Sequence, residues 1–125
     1  MSGPAFCALA DWGTSNFRLW LVDRDGNVLG ERQSDEGLSA VTDRRFEAVL
    51  ESHMTALGAS GDIGVVAAGM VGARSGWVEA AYAETPATLG DLHAHAVSPA
   101  AARPVYILPG LCQKTPGAFD VMRGE

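Results

Sequence analysis

Along the first third of the chain apolar and polar residues alternate, and the pattern then changes to a helical spacing. Phe6 to Ala10 is a short apolar run, so residues 5–10 predict a first strand, buried on both faces. Over residues 16–22, Phe17, Leu19 and Leu21 fall on one face at period two, with Asn16, Arg18 and Trp20 on the other. Asp23-Arg24-Asp25-Gly26 reads as a turn, and residues 27–33 as a third, edge-like strand. The opening is therefore an antiparallel meander. After a loop over 34–39, Phe46, Val49, Leu50, Met54 and Leu57 recur at helical spacing. They predict an amphipathic helix over 43–57, capped by Thr42 and stopped by Gly58. Its charged residues, Asp43, Arg44, Arg45, Glu47 and Glu51, read as a solvated face. His53, without ligand-spaced partners, reads as a surface or internally satisfied histidine.

Residues 62–68 predict a fourth strand, apolar on both faces and hence central. Gly69-Met70-Val71-Gly72 follows at its C-terminal end, where ligands gather in open α/β sheets. Residues 73–86 read as an irregular connection containing Arg74, Trp77 and Tyr82, and connections of that length are often functional. A short helix is expected over 89–97. Its His93 and His95 would lie on different faces, which argues against a metal pair. Pro99 and Pro104 bracket a linker, residues 105–108 form a fifth strand ended by Pro109-Gly110, and 111–125 read as loop. The order predicts an α/β fold. Three antiparallel strands and two parallel ones, joined by right-handed crossovers, make a mixed five-stranded sheet with flanking helices. Size predicts one domain over 1–125.

Composition narrows the function. Hydrophobic residues make up 47% of the 125, enough for a core. A net charge of −6 with Lys114 as the one lysine argues against nucleic acid as a partner. No signal peptide or membrane-spanning run is visible, so no membrane partner is expected and the cytoplasm is the expected compartment. Cys7 and Cys112 form no C-x-x-C pair, and Cys7 reads as a small hydrophobe in its strand.

The chemistry concentrates at the first turn. Asp11 ends the first strand, Gly13 permits a sharp turn, and Thr14, Ser15 and Asn16 offer two hydroxyls, an amide and backbone N–H groups. That set suits a phosphate with its metal, the donors holding oxygens and Asp11 holding Mg²⁺ directly or through water. The same residues are also ordinary turn formers, and the plain-turn reading stays open. No Gly-Lys-[Ser/Thr] follows, so this is not a Walker loop. A strand follows the glycine where a dinucleotide fingerprint needs a helix.

The stretch Asp11-Trp12-Gly13-Thr14-Ser15-Asn16-Phe17-Arg18-Leu19-Trp20 resembles the first phosphate motif of the sugar kinase, heat-shock chaperone and actin superfamily. It is most similar to that of the 2-dehydro-3-deoxygalactonokinases. Three further stretches agree with that family in order: Ala68-Gly69-Met70-Val71-Gly72 with Gly76-Trp77, Ile107-Leu108-Pro109-Gly110-Leu111, and Val121-Met122-Arg123-Gly124-Glu125. The resemblance implies a ribonuclease-H-like lobe, the first of two in an actin-like kinase. It also implies ATP- and Mg²⁺-dependent phosphorylation of 2-dehydro-3-deoxy-D-galactonate at its terminal hydroxyl, giving the 6-phosphate. Asp11 would serve the metal and catalysis, and Gly13, Thr14, Ser15 and Asn16 the phosphates.

The substrate carboxylate calls for a guanidinium, for which Arg18, Arg74 and Arg123 are candidates. Met70, Val71, Gly72 and Trp77 are candidates for the sugar pocket wall, and the segment Glu36-Gly37-Leu38 for a cover over it. Trp12 and Trp20 read as core. Asp120 and Glu125 are acidic residues near the last matched stretch, and no catalytic base is assigned. The resemblance further implies a second domain with the adenosine pocket, so the 125 residues are expected to be an N-terminal portion. The alternative is a non-catalytic half-domain that binds sugar acid or phosphate. An actin-like filament protomer would need both lobes.

Overall fold

The computed structural model describes residues 3–117 and 119–123. The predicted meander is present as β1 (Cys7–Trp12), β2 (Phe17–Val22) and β3 (Val28–Ser34). The helix α1 (Phe46–Ala56) follows, then β4 (Gly64–Ala68), β5 (Ala83–Glu84), α2 (Leu89–Ala94), β6 (Val105–Ile107), β7 (Leu111–Gln113) and β8 (Asp120–Met122). The main sheet has five strands in the order β3-β2-β1-β4-β6, antiparallel among the first three and parallel through β1, β4 and β6. This is the predicted mixed sheet. Its register sets Asp11 beside Arg18 on β2 and beside Ala68 on β4. The hairpin tip and the turn after β4 therefore meet at one edge.

One face of the sheet carries the core. Ala8, Ala10 and Trp12, Phe17, Leu19 and Leu21, Val65 and Ala67, and Val105 and Ile107 pack with Phe46, Leu50 and Met54 of α1. Trp12 is in that core as expected. The other face is more open than the apolar run suggested: Leu9 is 42% exposed and Tyr106 45%. β1 and β4 are thus buried on one face, because α1 covers that side and strand parity turns the alternate residues away from it. Trp20 obeys the same parity. It is half-buried on the open face, with the Arg18 guanidinium 4.9 Å from its ring.

α1 begins three residues later than its apolar spacing predicts. Asp43 and Arg44 take left-handed backbone, φ 52° and 56°, so Thr42 cannot cap the helix. Arg45 occupies the N-cap position without a side-chain bond. Two of the expected solvated acids also work internally. Glu51 receives both Nε and Nη2 of the buried Arg103, whose Nη1 donates to the carbonyls of Ser60 and Ile63. Glu47 accepts from the Ala102 N–H. These bonds tie the linker before β6 to the helix. α2 ends three residues earlier than expected and carries a reciprocal cap between Thr88 and Asp91.

The stretches read as irregular or loop contribute a second sheet, in the order β5-β7-β8. Strands of two or three residues are too short to display an alternation, so only their partners define them.

Candidate functional site

The β1–β2 tip is a bent turn whose Gly13 N–H donates to the Asn16 carbonyl at 2.9 Å. Thr14, Ser15 and Asn16 are exposed, and the Thr14 and Ser15 N–H groups have no backbone acceptor among the described residues. Behind the tip runs the segment after β3. Leu38 N–H donates to Gly13 O, Ser39 N–H and Oγ to Thr14 O, and Trp12 Nε1 to Glu36 O. Contact is so close that a Cβ on Gly37 would lie 2.4 Å from Thr14 O. The segment Glu36-Gly37-Leu38 is thus a backing for the tip and not a cover over the cavity.

The turn after β4 forms the facing wall. Gly69 has φ 105°, and a Cβ there would lie 2.8 Å from Trp12 O, so only glycine lets this turn approach the hairpin. A cavity of about 460 Å³ lies between them, lined by Asp11, Gly13–Asn16, Arg18, Gly69, Met70 and Arg123. Arg123 is buried, donates Nη2 to Ala80 O at 2.7 Å and lies 4.3 Å over the Tyr82 ring. It also borders a neighbouring cavity of about 530 Å³ with Ala73, Arg74, Ser75, Glu79 and Tyr82.

The fold therefore gathers Asp11, Gly13, Thr14, Ser15, Asn16, Arg18, Met70 and Arg123, and sets Arg74 next door. Val71 and Trp77 go elsewhere. Val71 is fully buried, and Trp77 stacks on Phe46 and meets Trp12 edge-on, so both build the core beneath the wall. Gly72 is buried too, where a Cβ would press on Ile107 and Arg123. Arg18 pairs with Glu31 at 3.3 Å on the open face. Asp120 is exposed on β8, while Gly124 and Glu125 lie outside the described residues. Sequence reasoning missed Arg44, whose guanidinium donates to Gly76 O and Trp77 O and pins the wall. It also missed Glu79, and it named Tyr82 only as part of the irregular connection. Nothing in their local pattern separates them from surface residues.

The donor set fits a phosphate group accompanied by a divalent cation. One carboxylate suits a hydrated cation held jointly by phosphate oxygens, and the hydroxyls and N–H groups suit the oxygens themselves.

Residues 11–125 match the family described as 2-keto-3-deoxy-galactonokinase. The chain is 44% identical over 126 residues to a Rhizobium meliloti (strain 1021) protein provisionally named 2-dehydro-3-deoxygalactonokinase. That match covers 100% of this chain and 41% of the relative. It is 36% identical over 115 residues to the Escherichia coli (strain K12) 2-dehydro-3-deoxygalactonokinase, covering 92% and 38%. A crystal structure of a Sinorhizobium meliloti protein with the same provisional name superposes with a TM-score of 0.86 at 44% identity. It covers 95% of this chain and 39% of that one. The chain thus spans about two fifths of the length of these relatives.

Proposed function

The chain belongs to the 2-keto-3-deoxy-galactonokinase family, and on that footing we propose that it forms the first lobe of an ATP- and Mg²⁺-dependent kinase. The substrate is 2-dehydro-3-deoxygalactonate and the product its 6-phosphate. The observation that carries this is the meeting of Asp11 and the Thr14–Asn16 donors with Gly69 and Met70 around one cavity. We read the mixed sheet as a ribonuclease-H-like lobe of the actin-like superfamily. The cytoplasm is the proposed compartment; no helix among the described residues is long and apolar enough to cross a membrane.

In this reading residues 13–16 would receive the phosphate oxygens with hydroxyl, amide and N–H donors, and Asp11 would hold the cation directly or through water. A divalent cation held there would supply positive charge to offset the charge on the transferring group. The chain's own task is positioning and electrostatics, which carry most of phosphoryl transfer. The sugar acid lies along the Gly69–Tyr82 wall, its carboxylate met by Arg74 or Arg123 across the second cavity. Arg18, engaged by Glu31, steadies the tip. Adenosine is held by a second lobe, as the greater length of the relatives suggests, and closure of the two lobes excludes water.

The test is a turnover assay of the protein carrying this chain, with ATP, Mg²⁺ and the sugar acid. Equimolar ADP and phosphorylated acid are expected. The isolated 125 residues should release no ADP above background. Binding of the acid without turnover in the whole protein would favour the non-catalytic alternative.

A further inference from the structure

On the side of the hairpin tip away from the cavity, a buried histidine joins the tip's backing to α1. His53 is 2% exposed, and its ring stacks on Phe17 at 4.7 Å. Its Nδ1 accepts a hydrogen bond from Arg32 Nε at 2.8 Å. The ring proton therefore sits on Nε2, which donates to Glu36 Oε1 at 2.7 Å. Ser34 Oγ lies 3.4 Å from the same nitrogen.

Glu36 opens the segment that grips the tip. Its carbonyl accepts Trp12 Nε1, and the next residues bond Gly13 O and Thr14 O. Gly37 leaves no slack between them. Among the described residues the tip contributes one internal backbone bond, from Gly13 N–H to Asn16 O. Its geometry is thus set from behind; Leu38 and Val41 pack the backing on the core, and the His53 Nε2–Glu36 Oε1 hydrogen bond ties it to the helix.

We propose that His53 is a positioning residue for the phosphate hairpin: it fixes Glu36, and residues 36–39 fix residues 13–16. The role in phosphate binding rests on the kinase reading above; the mechanical link does not. A histidine that only filled the core would owe its effect to packing alone. Here the effect runs through a defined donor toward a carboxylate that is 43% exposed.

Hydrogen exchange and kinetics on the protein carrying this chain separate the two. Glu36→Ala cuts the link from the solvent side without touching the core. His53→Leu keeps volume but removes both ring bonds. His53→Gln retains a terminal amide donor for Glu36, and Glu36→Gln retains the acceptor. We expect Glu36→Ala and His53→Leu to speed exchange of the Leu38 and Ser39 amides and the Trp12 indole N–H roughly tenfold or more. The Val65 and Ile107 amides, which donate to Pro104 O and Val97 O, should be unchanged. The two Gln variants should stay near wild type. KM for ATP should rise in Glu36→Ala while KM for the sugar acid holds within about twofold.

Faster exchange at every amide, or none at Leu38 and Ser39 in Glu36→Ala, overturns the link. Local loosening with KM for ATP unmoved overturns the role in phosphate positioning. If His53→Leu does not fold, Glu36→Ala still decides. A wild type without ATP-dependent turnover sinks the kinase reading instead, and the exchange pattern still decides whether His53 holds the tip.

Discussion

The two rims of the cavity at the hairpin tip are built in opposite ways. The near rim, residues 11–16, is a single turn between adjacent strands, backed by main-chain bonds from residues 36–39. The far rim follows β4 and is pinned by side chains from distant parts of the chain. Arg44 reaches Gly76 O and Trp77 O across 32 and 33 positions, and Arg123 reaches Ala80 O across 43. A contiguous, backbone-braced turn suits a task common to many kinases, holding phosphate. In the proposed reading, a wall pinned by separate side chains would let single substitutions alter which acid is met there.

The largest expected effect is on the near rim. Asp11→Asn should lower kcat at least roughly a hundredfold in the protein carrying this chain, because in the proposed role the negative charge that would hold the cation is removed. Thermal stability should barely move, since Asp11 is exposed. A kcat within tenfold of wild type would make Asp11 a turn residue only.

Next comes the far rim. Arg74→Ala should raise KM for the sugar acid about ten- to a hundredfold, the effect of losing a charged hydrogen bond of about 1.5–3 kcal/mol. KM for ATP should stay put. The alcohol analogue of the substrate is the control; an equal loss for acid and alcohol would transfer the carboxylate to Arg123.

Two substitutions probe how each rim is braced. Gly37→Ala drives a Cβ into Thr14 O, so about 1–3 kcal/mol of stability should be lost in urea unfolding, with KM for ATP rising. Unchanged stability would mean that the backing moves aside freely. Arg44→Met keeps an unbranched side chain but strips the donors from Gly76 O and Trp77 O and the guanidinium from over the Phe46 ring. About 1–2 kcal/mol should be lost, and KM for the sugar acid should respond more than KM for ATP. The reverse order would erase the distinction between the rims.

The smallest effect belongs to neither rim. At the base of the hairpin, Asp23 accepts from the Asn27 side-chain amide, which lowers its pKa most, and from the N–H groups of Gly3, Asn27 and Asp25. These bonds hold it at about 2, below its ordinary 3.8. The folded form thus binds this proton less readily than the unfolded one. The resulting stability is present above pH 4 and fades as pH falls toward 2. A pH series of urea midpoints should show that slope in wild type and lose it in Asp23→Asn, with ligand binding unaffected at neutral pH.

By itself the sequence determined the meander, the existence of α1, the parallel strands β4 and β6, and the near rim. These rest on periodicity and turn chemistry, which act between neighbours. It also carried the family, through four ordered stretches that any reader of motifs can align. The tertiary structure alone decided the rest. Asp43 and Arg44 read as helix, yet both take left-handed backbone, and the carbonyls that Arg44 serves lie more than 30 positions away. Nothing local to Trp77, a candidate for the pocket wall, announces that its ring lies against Phe46 and Trp12. His53 and Glu36, 17 positions apart, show no local sign of their bond. The short strands β5, β7 and β8 exist only through one another. Each of these depends on a partner that local spacing does not encode, because side-chain hydrogen bonds and close packing act through space while periodicity acts along the chain.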